Sequence, residues 1–285
     1  RSVKLGFTEN KIVIRTYDIE NRMASDTVNI YRILNKDDIG PSVNRHGIDY
    51  ALLVGTSEYE EFEPLANPIL DIEAVGNELE KHYGFVAEKI KNPTLETLYT
   101  TLRNYGKRKY SSDDQLFIFI AGHGVFDNLF GDGYLVLADS KKDDHNKTGH
   151  ISHSNLRTIL NNIDCNHIFL VLDVCFGGTF DPLVARRGND EYEKVNKNEF
   201  IQRKLKYKTR LYLTAGGKEY VSDGRAGMHS PFTREFLTAL RTFGGADQIL
   251  TINEILTNIE RVKPEPHFGE FGSNEPGSDF LFILR

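Results

Sequence analysis

Two apolar runs, Gln115–Ile120 and His167–Leu172, are nearly continuous rather than alternating, and each is closed by glycine within a few residues. Short unbroken runs of this kind predict strands buried on both faces, as in a parallel sheet. Tyr50–Val54, Phe85–Ile90, Arg210–Thr214 and Phe280–Leu284 read the same way. Between them the apolar positions recur every three or four residues. Ile69, Ile72, Val75, Leu79 and Tyr83 make one helical stripe, opened by Asn67 as N-cap with Pro68 in the first turn and stopped by Gly84. Four more stripes follow: Leu95, Leu98 and Leu102 after Thr94; Leu156, Ile159 and Leu160 after Ser152; Phe232, Phe236 and Leu237 after Ser230-Pro231; and Ile255, Leu256 and Ile259 after the capping box Thr251 to Glu254. The alternation over residues 49–285 predicts one α/β domain, a three-layer αβα sandwich with helices on both faces of a mostly parallel sheet built from these six strands.

Residues 1–35 differ. Lys11–Tyr17 and Thr27–Ile33 alternate apolar and polar positions about a polar connection, the pattern of a β-hairpin, and residues 36–48 read as a linker containing Gly40-Pro41. Gly131-Asp132-Gly133 before Tyr134–Leu137 suggests a second, small hairpin. Asp181–Lys208 is a long charged stretch with a short helix expected near Phe200–Leu205; loops of such length inside a domain are often functional.

A net charge of -6 with no long basic run argues against a nucleic-acid partner, and no stretch reaches the roughly 18 apolar residues of a membrane span. The chain opens at Arg1 without Met or a basic-then-apolar leader, which reads as a piece of a longer product. Two cysteines ten residues apart, Cys165 and Cys175, on either side of a predicted buried strand, are expected as free thiols. Cys165 suits the role of a small buried hydrophobe. Cys175 suits it less, because it stands in Asp173-Val-Cys-Phe-Gly-Gly178, where the strand stops.

In open parallel sheets ligands bind beyond the carboxyl ends of the strands, so His123 in Ala121-Gly-His-Gly124 and Cys175 are expected on one rim. A free thiol with pKa ~8.5 is mostly protonated at neutral pH and needs a base to become the attacking thiolate. His123 is that base and the later acid to the leaving amine, and the backbone N–H groups of Gly124 and Cys175 are the natural oxyanion donors. Other chemistries fit less well. Gly122-His-Gly124 lacks the third glycine of a dinucleotide loop, and a cysteine phosphatase would carry arginine where Asp181 stands. His145, His150 and His153 lie in a polar stretch without the cysteines or histidines that would complete a zinc site, so solvated histidines are the expectation.

With an apolar strand ending in His-Gly, and Asp-x-Cys-x-Gly closing another 52 residues after His123, residues 48–285 resemble the caspase-like cysteine peptidases, the clan of caspases, metacaspases and paracaspases. The resemblance implies a caspase-like sandwich and an acyl-enzyme mechanism in a bacterial member, with residues 11–33 similar to the last strands of bacterial immunoglobulin-like modules. Caspases carry Gln two residues before the nucleophile; Asp173 stands there, as in metacaspases and paracaspases. The same pattern implies pocket acids at Asp71 in Pro68-Ile-Leu-Asp71 and at Glu219 in Gly217-Lys-Glu-Tyr. Three carboxylates would select a peptide substrate with arginine, or second lysine, before the cut. Self-cleavage within Asp181–Lys208 at Arg186, Arg187, Arg203, Lys204, Lys206 or Lys208, a homodimer through the last strand, and calcium bound near Asp139, Asp143 and Asp144 are further implications. The acidic run has no regular ligand spacing, which favours a solvated loop, and no cofactor or metal is otherwise called for. The alternative from another class is a catalytically silent caspase-like binding or signalling module.

Overall fold

Neighbouring side chains on a strand point to opposite faces, and in the central sheet that alternation divides the core into two halves. The structure, a computed structural model, describes residues 9–17, 23–31, 45–175, 196–217, 221–245 and 247–285. In chain order the first strands are β1 (Glu9–Tyr17), β2 (Met23–Tyr31), β3 (Asp49–Gly55), β4 (Val86–Lys91), β5 (Gln115–Gly122), β6 (Gly124–Asp127) and β7 (Asp132–Val136). The remainder are β8 (His150–Ser152), β9 (His167–Val174), β10 (Thr209–Thr214), β11 (Ile249–Thr251), β12 (His267–Glu270) and β13 (Leu281–Ile283). The helices are α1 (Pro68–Tyr83), α2 (Leu95–Lys107), α3 (His153–Asn161), α4 (Lys197–Lys204), α5 (Pro231–Leu240) and α6 (Ile252–Ile259).

The central sheet has six strands in the order β12-β10-β9-β5-β3-β4, all parallel except β12, which runs antiparallel to β10 at one edge. Leu53, Phe117, Phe119, Phe169, Val171 and Leu213 face one side, where α1, α5 and α6 pack with Leu79, Phe236 and Ile255. Leu52, Leu116, Ile118, Leu170 and Leu172 face the other, where α2 and α3 bring Leu98, Leu102, Leu156 and Leu160. The result is a caspase-like three-layer α/β fold. Among the described residues no helix is long and apolar enough to cross a membrane.

The caps expected at Thr94, Ser152, Ser230 and Thr251 form, each accepting a backbone N–H three residues on. Asn67 departs from the expectation. It holds the N-cap position of α1, but its side chain donates to the carbonyls of Asp223 and Arg225 and accepts from Gly227 N, tying α1 to the segment before α5. The expected helix near Phe200 is α4, longer than foreseen, with Ile201 buried and Lys204 bridged to Asp279 at 3.4 Å. Arg203 and Lys204 are therefore helical, while Arg186 and Arg187 lie outside the described residues.

One reading of the chain end is corrected. The sixth strand is β12 and not Phe280–Leu284, which forms β13 and pairs with β11 in a separate two-stranded sheet. All of Leu281–Ile283 is buried, with Phe280 and Phe282 in the main core and Leu281 and Ile283 against Ile201 and Ile249. Beside this strand the Gln115 side chain donates to Leu281 O and accepts from Leu281 N. Similarly, of the three histidines expected in solvent, His145 is exposed but His150 and His153 are buried, at β8 and the start of α3. Burial lowers the pKa of both, that of His153 to about 4. In the hairpin β1–β2, Tyr17 pairs with Met23, so the second strand begins before Thr27, where the sequence pattern placed it.

Candidate active site

β5 and β9 are adjacent and parallel, in a register that sets Ala121 against Asp173 and Gly122 against Val174, so His123 and Cys175 leave the sheet side by side. On the other flank β3 ends with Gly55 opposite Ala121. The chain passes from β3 to the sheet edge at β4 and returns to β5 beyond β3, and such a reversal opens a crevice at the carboxyl ends. Asp71, His123, Asp173, Cys175, Asp223 and Ser230 line the cleft found there.

The loop after β3 fixes His123. Tyr59 Oη donates to Thr56 O at 2.7 Å and accepts His123 N at 2.9 Å, while the two rings lie 4.9 Å apart. His123 Nε2 is 2.8 Å from Glu63 O. A carbonyl oxygen only accepts, so Nε2 carries the proton and Nδ1 keeps the lone pair a base requires. We predict that Tyr59→Phe, which deletes both hydroxyl contacts, lowers kcat/KM by about tenfold at little change in thermal stability, since a neutral hydrogen bond contributes only about 1 kcal/mol.

Cys175 Sγ accepts Val221 N at 3.3 Å and lies 3.7 Å from Val221 O. Burial pushes the thiol pKa up; the Val221 amide opposes this and Asp173 reinforces it. A thiol held protonated at rest can become a nucleophile only by passing its proton to a base. Gly124 runs close over Cys175: a Cβ there would stand 2.2 Å from the Cys175 carbonyl oxygen, so only glycine fits. Cys165, the other thiol, is buried with its pKa pushed up to about 12 by desolvation.

Asp173 points to the α1/α5 side because it follows Phe169 and Val171 in the alternation. It is buried, and its Oδ2 accepts from Ser230 Oγ at 2.5 Å and Thr233 Oγ1 at 2.7 Å, at the start of α5. Desolvation raises its pKa to about 6, against the effect of those two bonds. Asp71, buried on the first turn of α1, has Oδ1 2.6 Å from His229 Nδ1, and Ser230 N reaches Oδ2 at 3.4 Å. Burial first and the Asp173 charge second raise its pKa to about 8. The sequence reading missed the third acid here. Asp223 Oδ2 accepts Ala66 N at 2.7 Å and Asn67 N at 3.3 Å. It sits in an irregular segment with no hydrophobic period to place it. Glu219, named as third acid from the motif, lies outside the described residues.

Of the acids suggested for calcium, Asp139 accepts Leu95 N at 3.0 Å and Asp144 accepts Gly149 N at 2.7 Å. Asp143 is exposed, and among the described residues no group of three His, Cys, Asp or Glu side chains converges as a metal site.

A six-stranded, mostly parallel α/β sandwich with histidine and cysteine on adjacent strand ends defines a caspase-like protein. Residues 48–265 match the Caspase domain family of cysteine peptidases, and the chain belongs to that family. Among solved structures it is similar to caspase-1 from Spodoptera frugiperda, with a TM-score of 0.55 and 14% identity over 81% of this chain and 89% of that one. No match was found among curated proteins.

Proposed function

We propose that this chain is a cysteine endopeptidase that cuts after arginine, and second after lysine, through His123 and Cys175. The observation that carries the reading is one cleft containing the thiol, the histidine and three carboxylates, Asp71, Asp173 and Asp223. Cys175 Sγ passes its proton to His123 Nδ1 and attacks the scissile carbonyl carbon. The N–H groups of Gly124 and Cys175 hold the oxyanion. The C–N bond breaks as His123 protonates the leaving amine, and water, deprotonated by His123, hydrolyses the thioester. Among the described residues Asp173 and Asp223 each use only Oδ2 in hydrogen bonds, leaving Oδ1 for the guanidinium, a geometry that suits planar, forked donors.

The test is a fluorogenic peptide panel with Arg, Lys, Asp, Leu or Ala before the cut. Arg first and Lys second supports the pocket; Asp or Leu preference overturns it. Because Asp139 and Asp144 are occupied by backbone amides, we predict that EGTA leaves the Arg rate within twofold, and a calcium-restored loss would contradict this. Self-cleavage is expected within Asp181–Lys208 at a basic residue other than Arg203 and Lys204, because a peptidase takes an extended chain and those two are in α4. An intact band after prolonged incubation of active enzyme contradicts it. A catalytically silent binding module is the second reading, favoured by the engagement of Cys175 Sγ with both backbone groups of Val221.

A further inference from the structure

On the sheet face away from Asp173, α2 and α3 run side by side in the same direction, since each leads into one of the parallel neighbours β5 and β9. A groove of about 530 Å3 lies between them. Its floor is apolar: Leu102 and Ile163 are buried, and Tyr99 and Ile159 are half-buried against the core on that side. Asn155 Nδ2 donates to Tyr99 Oη at 2.7 Å, which holds the ring and joins the two helices at one end. Arg103, Gly106 and Lys107 form an exposed rim on α2. No carboxylate lines the groove, although the chain carries a net charge of -6.

Two features of this rim cost the free helix. Gly106 lies within α2, where glycine is less favourable than alanine, and a Cβ there would meet nothing within 4 Å, so the chain's own packing does not require it. Arg103 and Lys107 stand four residues apart on the same helix, where like charges repel. An occupant whose backbone passes close to Gly106 and which places carboxylates beside Arg103 and Lys107 accounts for both. From Tyr99 to Lys107 the groove runs about 12 Å at the helical rise, the reach of three anchors at i, i+4 and i+7 on one helix. We propose that the α2–α3 groove docks an acidic amphipathic helix of a partner protein. Its apolar stripe lies on Tyr99, Leu102, Ile159 and Ile163, and its carboxylates meet Arg103 and Lys107. The exposed rim suits a helix laid lengthwise rather than an enclosed small ligand. This surface is separate from the cleft at the strand ends, so the proposal does not depend on the peptidase reading.

The test uses the Cys175→Ala chain, which prevents turnover, and a fluorescein-labelled helical peptide of about 16 residues with leucine at i, i+4 and i+7 and glutamates flanking that stripe. Fluorescence anisotropy is expected to show saturable binding with a Kd below about 100 μM. The same peptide with glutamine for every glutamate is expected to bind at least about tenfold more weakly. The double change Arg103→Glu and Lys107→Glu is expected to weaken the glutamate peptide by at least about tenfold and to strengthen a lysine-for-glutamate peptide, a reversal that damage to the fold would not produce. Gly106→Gln replaces glycine with a good helix former, so its melting temperature is expected to rise by about 1–2 °C while its affinity for the glutamate peptide falls at least about tenfold. No binding of the glutamate peptide, equal binding of the glutamine peptide, or unchanged affinity in Gly106→Gln would each overturn the proposal. So would displacement of the peptide by dodecanoate at concentrations below its micelle point, which would make the groove a site for a small anionic amphiphile, or a dimer of the parent chain that the double change abolishes, which would make the occupant a second copy.

Discussion

Cys175→Ala is expected to lower kcat/KM on an arginine substrate by at least about a thousandfold, and His123→Ala by a similar factor. The double variant is expected to be no worse than either single one, because a nucleophile without its base and a base without its nucleophile fail at the same step. The geometry behind this is the parallel β5–β9 register, which brings the two residues out of the sheet one position past its last paired rung. Losses that multiply in the double variant would mean that His123 and Cys175 act separately. Thermal melting of each variant separates a chemical loss from unfolding. Little destabilisation is expected, as Cys175 lies at the cleft rather than in the interior of either core cluster.

The second large effect concerns the choice of substrate. Asp173→Asn keeps an oxygen to accept from Ser230 and Thr233 but removes the charge that a guanidinium would meet. A hydrogen bond to a charged group contributes about 1.5–3 kcal/mol, so kcat/KM on arginine is expected to fall roughly 10- to 150-fold. The rate on an alanine substrate is expected to hold. A ratio of arginine to alanine rates unchanged from the parent would remove Asp173 from the pocket. The charge state gives a sign as well. Burial raises the Asp173 pKa to about 6, so arginine preference is expected to weaken as pH falls below 6, where the carboxylate becomes neutral.

Much of this architecture is legible in the chain because one alternation does two jobs. The apolar sequence of β9 fixes a strand buried on both faces, and the same period places Phe169, Val171 and then Asp173 on the α1/α5 side. Helix starts were equally readable wherever Ser or Thr supplied a local cap. Long-range contacts were not. Asn67 has the local pattern of a cap, yet its amide serves a segment about 160 residues away, and no local rule weighs that competition. The terminal Phe-Leu-Phe-Ile run is as apolar as a central strand, but it pairs with β11 and the Gln115 side chain instead of joining the main sheet, against which Phe280 and Phe282 pack. The short, polar β12 took the edge instead, where one free side tolerates such a sequence. Asp223 and His229, and the place of the Ser230 cap in the cleft, were unreadable for the same reason: they reach it from an irregular segment held by contacts to Asn67, Asp71 and Asp173.

The most direct test of the central claim is labelling of the intact chain with a peptidyl-arginine chloromethyl ketone, read by mass spectrometry. The account predicts one adduct per chain, on Cys175, absent in Cys175→Ala and slowed at least tenfold in Asp173→Asn or with aspartate in place of arginine. Equal labelling by the arginine and aspartate reagents, or an adduct on Cys165, would contradict it.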